Sequence, residues 1–286
     1  MAIVVLTLWG CGEDDHQAES ALDGGTTDNP AVPPGCSDLF AQDKVRTYSV
    51  EISDTEWQKM LDEFNNLRAL ETGLPFAVYH PAVFRDGNDV VTDAAIKLRG
   101  QSSWHQAVMF DGARAKMQFT ISFDESNPGR RYHGIHKLVL DMPRSDWTFL
   151  HERLAHNWLR DVGIMAPCSA SARLMINGTY YGLYVAEENV GGRLVKQFFP
   201  NNHMGDLWKG GVDPDTNETM PNWPRQQAFW AAKDLASVSA IVDLPGSVMS
   251  WAAEALLNNA DGYYGGFHNF YLYDQGDKGF VFLPKD

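Results

Sequence analysis

Hydrophobic and polar residues alternate over several short stretches in the first two thirds of this chain. A period of two residues places every second side chain on one face of a β-strand, so these stretches predict strands with one buried face. The alternation predicts strands at 47–52, 76–84, 90–98, 116–123 and 136–140. Two more, at 172–176 and 181–186, flank Asn177 and Gly178. An Asn-Gly pair between two such runs is typical of a tight β-hairpin turn.

Apolar residues spaced three and four apart predict the helices. These patterns occupy 54–64, 146–162, 225–236 and 247–259, and a short one ends at Phe199. Ser53 caps the first helix, while Ser145 or Asp146 caps the second, which Gly163 ends. Apolar runs at 270–273 and 280–283 then predict a C-terminal hairpin. This order of strands, helix, hairpin and helices predicts an α+β fold.

The composition is that of a globular, acidic protein. Of the 286 residues, 44% are hydrophobic, which suffices for a sizeable core, and the formal net charge is −14. Nucleic acid is an unsuitable partner, because binding a phosphate backbone requires a basic face. Beyond the N-terminus, no stretch approaches the ~20 apolar residues of a membrane span.

The N-terminus has features of an export signal. Apolar residues 3–8 precede Cys11, a pattern typical of a bacterial lipoprotein signal, although a chance apolar start is the alternative. We therefore predict a lipoprotein-like signal segment at 1–11, a disordered tether at 12–38 and a folded domain at 39–286. The protein is expected to be exported to the cell envelope or surface, with membrane contact only through a lipid anchor.

Three cysteines are too few for a disulfide framework. In an exported protein Cys36 and Cys168 could pair. Two free buried thiols are the other interpretation that the sequence allows. The sequence is compatible with either state of these two cysteines.

The last thirty residues hold the polar side chains that most suggest chemistry. Asp261 opens a glycine-rich loop, Asn269 closes it, and Asp286 follows the C-terminal hairpin. Oxygen-bearing side chains of this kind can hold Mg²⁺ and accept a hydroxyl proton during phosphoryl transfer. A polar hairpin with turn-forming Asp, Asn and Gly is the alternative.

Other chemistries fit the sequence less well. The nine histidines, His156 among them, lack metal-ligand spacing, so no zinc site is predicted. Ser102 and Ser103 have no partnered His and Asp in an arrangement that would activate a hydroxyl. The glycine-rich segments match neither a P-loop nor a dinucleotide-binding fingerprint.

Seven segments of the chain, in this order, match a known family. They are Arg-Gly-Gln-Ser-Ser-Trp at 99–104, the Lys116 strand up to Phe123, 146–163, 176–188, Asn-Ala-Asp-Gly-Tyr at 259–263, His-Asn-Phe-Tyr-Leu-Tyr at 268–273 and Phe-Leu-Pro-Lys-Asp at 282–286. The chain thereby resembles the CotH (spore coat protein H) family of atypical secreted protein kinases from about residue 47 to 286. The resemblance implies an atypical protein-kinase-like two-lobed fold, with an N-lobe at about 47–190 and a partial C-lobe at about 191–286.

The resemblance also implies an activity and a catalytic site. The enzyme would use ATP and Mg²⁺ to phosphorylate Ser or Thr of a protein substrate, for example a surface or coat protein. Asp261 would be the catalytic aspartate, and Asn269 and Asp286 would hold the metal. Lys116 would contact the α- and β-phosphates, with Glu152 on the following helix as its ion-pair partner.

The remaining implied contacts are with the nucleotide. The residues expected over the phosphates are Arg99, Gly100, Gln101, Ser102 and Ser103. Those expected at the hinge beside adenine are Glu187 and Glu188. The first five would counter phosphate charge through backbone amides and the Arg99 side chain.

The chain departs from the family pattern at its end. Lys285 stands where the family usually has a tryptophan before the metal aspartate, and the sequence stops at Asp286. The sequence is therefore expected to be C-terminally truncated within its own metal motif. A non-catalytic surface or structural module that binds nucleotide is the rival function. A kinase-fold enzyme that transfers another group, such as a nucleotidyl unit, is a second.

Overall fold

The described part of the chain contains a β-barrel and a separate four-stranded sheet. The computed structural model describes residues 31–66, 77–100, 116–142 and 146–285. Its strands are β1 (Arg46–Glu51), β2 (His80–Asp86), β3 (Asp89–Arg99), β4 (Gln118–Ser122), β5 (Lys137–Asp141), β6 (Ser169–Ile176), β7 (Thr179–Glu188), β8 (Leu207–Lys209), β9 (Asp213–Pro214), β10 (Phe270–Asp274) and β11 (Phe280–Pro284). Its α-helices are α1 (Asp54–Asn65), α2 (His151–Asp161), α3 (Gly192–Phe198), α4 (Trp223–Ala231), α5 (Leu235–Ile241), α6 (Leu244–Leu256) and α7 (Tyr263–Gly266). The α+β class is as the sequence predicts. Within the described ranges, no helix has both the length and the apolar character needed to cross a bilayer.

Strands β1 to β7 form a closed barrel in the order β1-β2-β3-β4-β5-β7-β6. Neighbouring strands are antiparallel except β1 and β6, whose parallel pairing closes the barrel. Alternate side chains fill its interior. Ile96 and Leu98 of β3, for example, are buried, while Lys97 between them is on the exterior and part-buried. The exterior positions are therefore free to carry polar groups.

The remaining strands form a sheet in the order β11-β10-β8-β9. Alternate residues of β10 lie on opposite faces of this sheet. Tyr271 and Tyr273 pack in one cluster with residues of α3, whereas Phe270 and Leu272 pack in another with residues of α4, α5 and α6. Because both faces are covered, β10 and β11 are continuous apolar runs rather than alternating ones.

Helix α2 begins later than its pattern predicts. The predicted start is residue 146, but the helix starts at His151 because residues before it form a turn around Asp146. The Asp146 carboxylate accepts the N–H groups of Leu150 and His151, each at 2.8 Å. Burial would raise the pKa of Asp146, but hydrogen bonds from Thr148 and these amides hold it well below its usual value. Asp146 thus stabilises the start of the helix from outside it, and Ser145 lies outside the described residues.

Asn177 and Gly178 form the predicted turn between β6 and β7. Their φ angles are 48° and 76°, and a type I′ turn requires both to be positive. The Asn177 side chain also bonds to Ile52 beyond the end of β1. Its Oδ1 accepts the Ile52 N–H at 2.8 Å, and its Nδ2 donates to the Ile52 carbonyl at 2.9 Å. The hairpin is thereby attached beside the parallel pair that closes the barrel.

A disulfide joins Cys36 to Cys168, just before β6, across a sequence separation of 132. This resolves the pairing that the sequence leaves open. Nearby, the Pro34 carbonyl accepts a hydrogen bond from Arg160 at 2.8 Å. Residues 31–38, expected to be the end of the tether, are therefore held against the domain by covalent and polar contacts. The signal segment, Cys11 and the tether up to residue 30 lie outside the described residues.

Candidate active site

Asp261 and Asn269 meet in the loop between α6 and β10. Asn269 Nδ2 donates a hydrogen bond to Asp261 Oδ2 at 2.7 Å. Asp261 is exposed and Asn269 is part-buried. Because this bond uses the amide nitrogen, the Asn269 carbonyl oxygen is the atom that could ligate a cation beside the carboxylate. A carboxylate and an amide oxygen are donors that suit Mg²⁺.

The C-terminal hairpin holds Asn269 in place. Phe270 of β10 pairs with Pro284 of β11, and the Lys285 N–H donates to the Asn269 backbone carbonyl at 2.9 Å. Asp286, the third member of the predicted site, lies outside the described residues. The structure therefore brings Asp261 and Asn269 together, and the metal-binding role of Asp286 stays a prediction.

A buried glutamate organises the start of this loop. Glu254, in the last turn of α6, is 2% exposed, and its Oε2 accepts the Tyr264 N–H at 3.0 Å. Burial raises the pKa of Glu254, while hydrogen bonds from the backbones of Tyr264 and Tyr263 oppose that rise. A Cβ at Gly262 would lie 2.5 Å from Glu254 Oε1. A side chain at this position would displace the Glu254 carboxylate, so glycine lets the backbone pass close to that carboxylate directly after Asp261.

The exterior face of the barrel carries a row of charged side chains. The strand register places Arg99 of β3 opposite Gln118 of β4, and Gln118 donates a hydrogen bond to Asp141 of β5. Val139 of β5, two residues before Asp141 and on the same face, is opposite Glu187 of β7. Lys97 lies two residues before Arg99 on the same face, with its Nζ 4.5 Å from the centre of the Tyr79 ring. Charges of both signs therefore line this outer surface.

Lysines from the barrel and the second sheet act electrostatically on the same groups. Lys137 and Lys209 act on both Lys97 and Asp215, and Lys285 also acts on Asp215. Burial lowers the pKa of Lys97, and the positive charges of Lys137 and Lys209 lower it further. Burial raises the pKa of Asp215, whereas Lys209, Lys137 and Lys285 lower it. We call Lys97, Lys137, Lys209 and Lys285 the junction lysines. In a chain of net charge −14 these lysines bring several positive charges near one another, and Glu125 near Lys97 and Asp215 near the other three offset part of that charge.

Sequence reasoning missed the junction lysines. Lys97 belongs to the alternating strand 90–98, and its polar position between buried Ile96 and Leu98 marked it as exterior. Lys209 and Lys285 come from distant parts of the chain, so only the folded topology brings them near Lys137.

Lys116 occupies an unexpected position. Its Nζ donates a hydrogen bond to the Leu183 carbonyl and lies 4.0 Å from the centre of the Tyr184 ring. Its aliphatic stem passes over Gly182, where a Cβ would come within 2.5 Å of the lysine Cε. Burial lowers the pKa of Lys116 to about 8. Among the described residues, the expected ion pair between Lys116 and Glu152 is not formed.

Glu152 instead lies beside Glu187. Helix α2 brings the Glu152 carboxyl within hydrogen-bonding reach of Glu187, which is 5% exposed. Burial raises the pKa of Glu187 well above its ordinary value, and the negative charges of Glu152 and Asp141 raise it further; Arg99 partly offsets them. Lys116 and Glu152 do not pair because Lys116 precedes β4 and its side chain lies at the end of the barrel, whereas α2 covers the exterior of the barrel.

The other residues predicted to contact the nucleotide lie in different parts of the fold, and their contacts with nucleotide stay predictions. Glu188 is 3% exposed and forms a salt bridge with Arg193 of α3, so its carboxylate is already engaged within the protein. Arg99 and Lys116 line one small cavity at the end of the barrel together with Met117 and Met142. Gly100 follows with a φ of 80°, a conformation that favours glycine. Gln101, Ser102 and Ser103 lie outside the described residues.

Comparisons with known proteins agree with the resemblance in the sequence. The family model described as CotH kinase protein matches residues 96–241, about half of the chain. The matched region contains Lys97, Arg99, Lys116, Glu152 and Glu187. A search of curated proteins found no match. On the strength of the family match, this chain is a member of the CotH kinase protein family.

Proposed function

We propose that this protein is an ATP- and Mg²⁺-dependent protein kinase of the CotH type that phosphorylates Ser or Thr of a surface or coat protein. In this proposal the barrel with α2 is the N-lobe of a two-lobed kinase-like fold. The four-stranded sheet with α3 to α7 belongs to the C-lobe. The family match supports kinase-like chemistry, and the contact between Asp261 and Asn269 is the observation that carries the site.

Asp261 would act as the catalytic aspartate. Its carboxylate is exposed, so an acceptor hydroxyl can approach it, and its hydrogen bond to Asn269 orients it. It would accept the hydroxyl proton as the oxygen attacks the γ-phosphorus of ATP and the bond from that phosphorus to the bridging oxygen breaks, which releases ADP. Asn269 and Asp286 would hold Mg²⁺, which neutralises charge on the phosphates when bound.

The junction lysines would face the phosphates of the nucleotide. Lys137 and Lys209 repel Lys97, and a polyanion bound among them would relieve that repulsion; Arg99 on the same exterior face adds a further positive charge. Lys116 is the phosphate lysine that the family resemblance implies. It would have to leave the Leu183 carbonyl to serve that role, whereas Lys97 is already on the exterior face.

The protein would act after export from the cytoplasm. The disulfide between Cys36 and Cys168 supports an oxidising compartment, because cytosolic thiols are kept reduced. The lipoprotein-like segment at 1–11 agrees with this and would provide a membrane anchor.

A non-catalytic nucleotide-binding module is the second candidate. It is favoured by the engaged Lys116 amine and by Lys285 in place of the usual tryptophan. Nucleotide-dependent thermal shift and transfer of ³²P from ATP to a protein acceptor distinguish the two functions, since a binder shifts in melting temperature without transferring phosphate.

The decisive variant is Asp261→Asn, with Asp43→Asn, an exposed aspartate in another loop, as its matched control. We expect Asp261→Asn to abolish ³²P transfer while keeping the ATP-dependent shift, and Asp43→Asn to change neither. Equal transfer by wild type and Asp261→Asn would refute the role of this residue. A shift without transfer in wild type would favour the non-catalytic module.

A further inference from the structure

Three potential metal ligands converge between α2 and the barrel. Glu152 and His156 are four residues apart, which places them on one face of α2. That face lies against Glu187, which is on the exterior of β7. One ligand atom from each of the three residues lies within 4.8 Å of the other two. His156 and Glu187 are each only 5% exposed, so the group is largely shielded from water.

One buried oxygen in this group is aimed at the imidazole without a hydrogen bond. Glu187 Oε1 makes no hydrogen bond to any residue in the described part of the chain. It lies 3.7 Å from His156 Nδ1, which is too long for a hydrogen bond. Two ligands of one metal ion, each about 2.0–2.2 Å from it, are roughly 3–4 Å apart. The spacing is therefore one that an ion between the two atoms would bridge.

The charges around the group also call for a cation. Besides Glu152, the carboxylate of Asp141 acts on Glu187, and Arg99 is the positive group that partly offsets them. A buried carboxylate that faces other carboxylates is unfavourable unless it is protonated or paired with a cation. A cation among the three side chains would balance these negative charges.

We propose that Glu152, His156 and Glu187 form a binding site for a divalent transition-metal ion of the Zn²⁺ or Co²⁺ kind. Mg²⁺ prefers oxygen ligands and water, whereas an imidazole nitrogen beside two carboxylates suits Zn²⁺, Co²⁺ or Mn²⁺. The site is separate from the Mg²⁺ ligands proposed at Asn269 and Asp286, and it does not depend on kinase activity. A bound ion would join α2 to β7 through three ligands and hold the helix on the barrel.

Titration with Co²⁺ in the absence of nucleotide tests the site. An excess of Mg²⁺ in all samples occupies oxygen-only sites, and the visible absorption of Co²⁺ reports on its ligands. We expect wild type to bind one Co²⁺ per chain and to melt at a higher temperature with it. Glu187→Gln and His156→Gln should each weaken Co²⁺ binding by about tenfold or more.

Glu63→Gln is the matched control. Glu63 lies beside His80 and Glu56, a second group of one histidine and two glutamates. There the carboxylates already bond to both ring nitrogens, at 2.8 and 3.2 Å. This variant should bind Co²⁺ like wild type.

Melting curves without metal identify any variant that does not fold. Glu187→Gln preserves the side-chain shape and removes a buried charge, so it carries the test if His156→Gln is unfolded. Absence of Co²⁺ binding in wild type, or unchanged binding in Glu187→Gln, would overturn the proposal. Because the readout needs no ATP, either result is independent of whether the chain transfers phosphate.

Discussion

At the scale of single residues, the buried amine of Lys116 should make the free energy of unfolding depend on pH. Its pKa is about 8 in the folded protein against 10.5 for an ordinary lysine. Above pH 8 the folded chain therefore loses this proton before the unfolded chain does. The unfolded state then binds more protons, so the contribution of Lys116 to the free energy of unfolding rises from about pH 8 to about pH 10.5.

We expect Lys116→Met to lose this rise. Chemical denaturation of both proteins across that pH range measures the difference, which should be about 1 kcal/mol after allowance for solvent screening. The difference between the two proteins is the quantity to use, because buried tyrosines such as Tyr184 also have raised pKa values and ionise in alkali. If the free energy of unfolding changes with pH in the same way in wild type and Lys116→Met, Lys116 does not have the lowered pKa that its burial implies.

Of the two side-chain contacts predicted at the site, the structure contains that between Asp261 and Asn269 but not that between Lys116 and Glu152. Asp261 and Asn269 bracket a short loop, so local sequence alone keeps them close, and their contact is present. Lys116 and Glu152 come from different elements, and their separation depends on how α2 sits on the barrel. Alternation within a strand fixes which face a side chain takes, but Lys116 precedes β4, where alternation no longer determines its direction.

At the scale of elements, the Asn177 turn does more than reverse the chain. The sequence predicts the hairpin from the Asn-Gly pair, yet it cannot show that the Asn177 side chain also bonds to Ile52. Asn177→Gly keeps a residue that accepts positive φ and removes both hydrogen bonds. We expect it to lower the free energy of unfolding by about 1–2 kcal/mol.

Asn258→Gly is the control for this substitution. Asn258 is an exposed asparagine with a φ of 55°, so the backbone effect of glycine is comparable. Equal destabilisation by the two variants in chemical denaturation would mean that the bonds to Ile52 contribute nothing.

The loop that presents Asp261 depends on Glu254 in α6. Glu254→Ala leaves the N–H of Tyr264 without its acceptor and opens space beside Gly262. We expect a loss of about 1–3 kcal/mol in the free energy of unfolding and faster amide exchange across 260–267. Glu218→Ala, at an exposed glutamate, should leave exchange there unchanged. Unaltered exchange in Glu254→Ala would show that the loop is held by other contacts.

At the scale of the whole molecule, the sequence predicts the elements better than their assembly. Most strands and helices are found near their predicted ranges, and the α+β class follows from their order. The closed barrel was not predicted, because its closure rests on the parallel pairing of β1 with β6, whose residues are more than a hundred positions apart. Non-local pairing of this kind leaves no local pattern, and the junction lysines were missed for the same reason.

Two lysines, Lys97 and Lys116, are candidates for binding the phosphates of the nucleotide. The family resemblance points to Lys116, whereas the fold places Lys97 on the exterior face near Lys137 and Lys209. If the phosphates lie among the junction lysines, Lys97→Met removes a charge in direct reach of them and should weaken ATP binding by about tenfold, or about 1.4 kcal/mol. Lys116→Met should have a smaller effect, since that amine is held by Leu183.

ATP-dependent thermal shift at several nucleotide concentrations measures these affinities, with Lys59→Met on the exposed side of α1 as the control. Lower salt should enlarge the difference between wild type and Lys97→Met, because screening weakens attraction between lysines and phosphates. A larger loss in Lys116→Met than in Lys97→Met would mean that Lys116 leaves Leu183 when ATP binds. The exterior face around Lys97 would then not be the phosphate site, and the family assignment of Lys116 would stand.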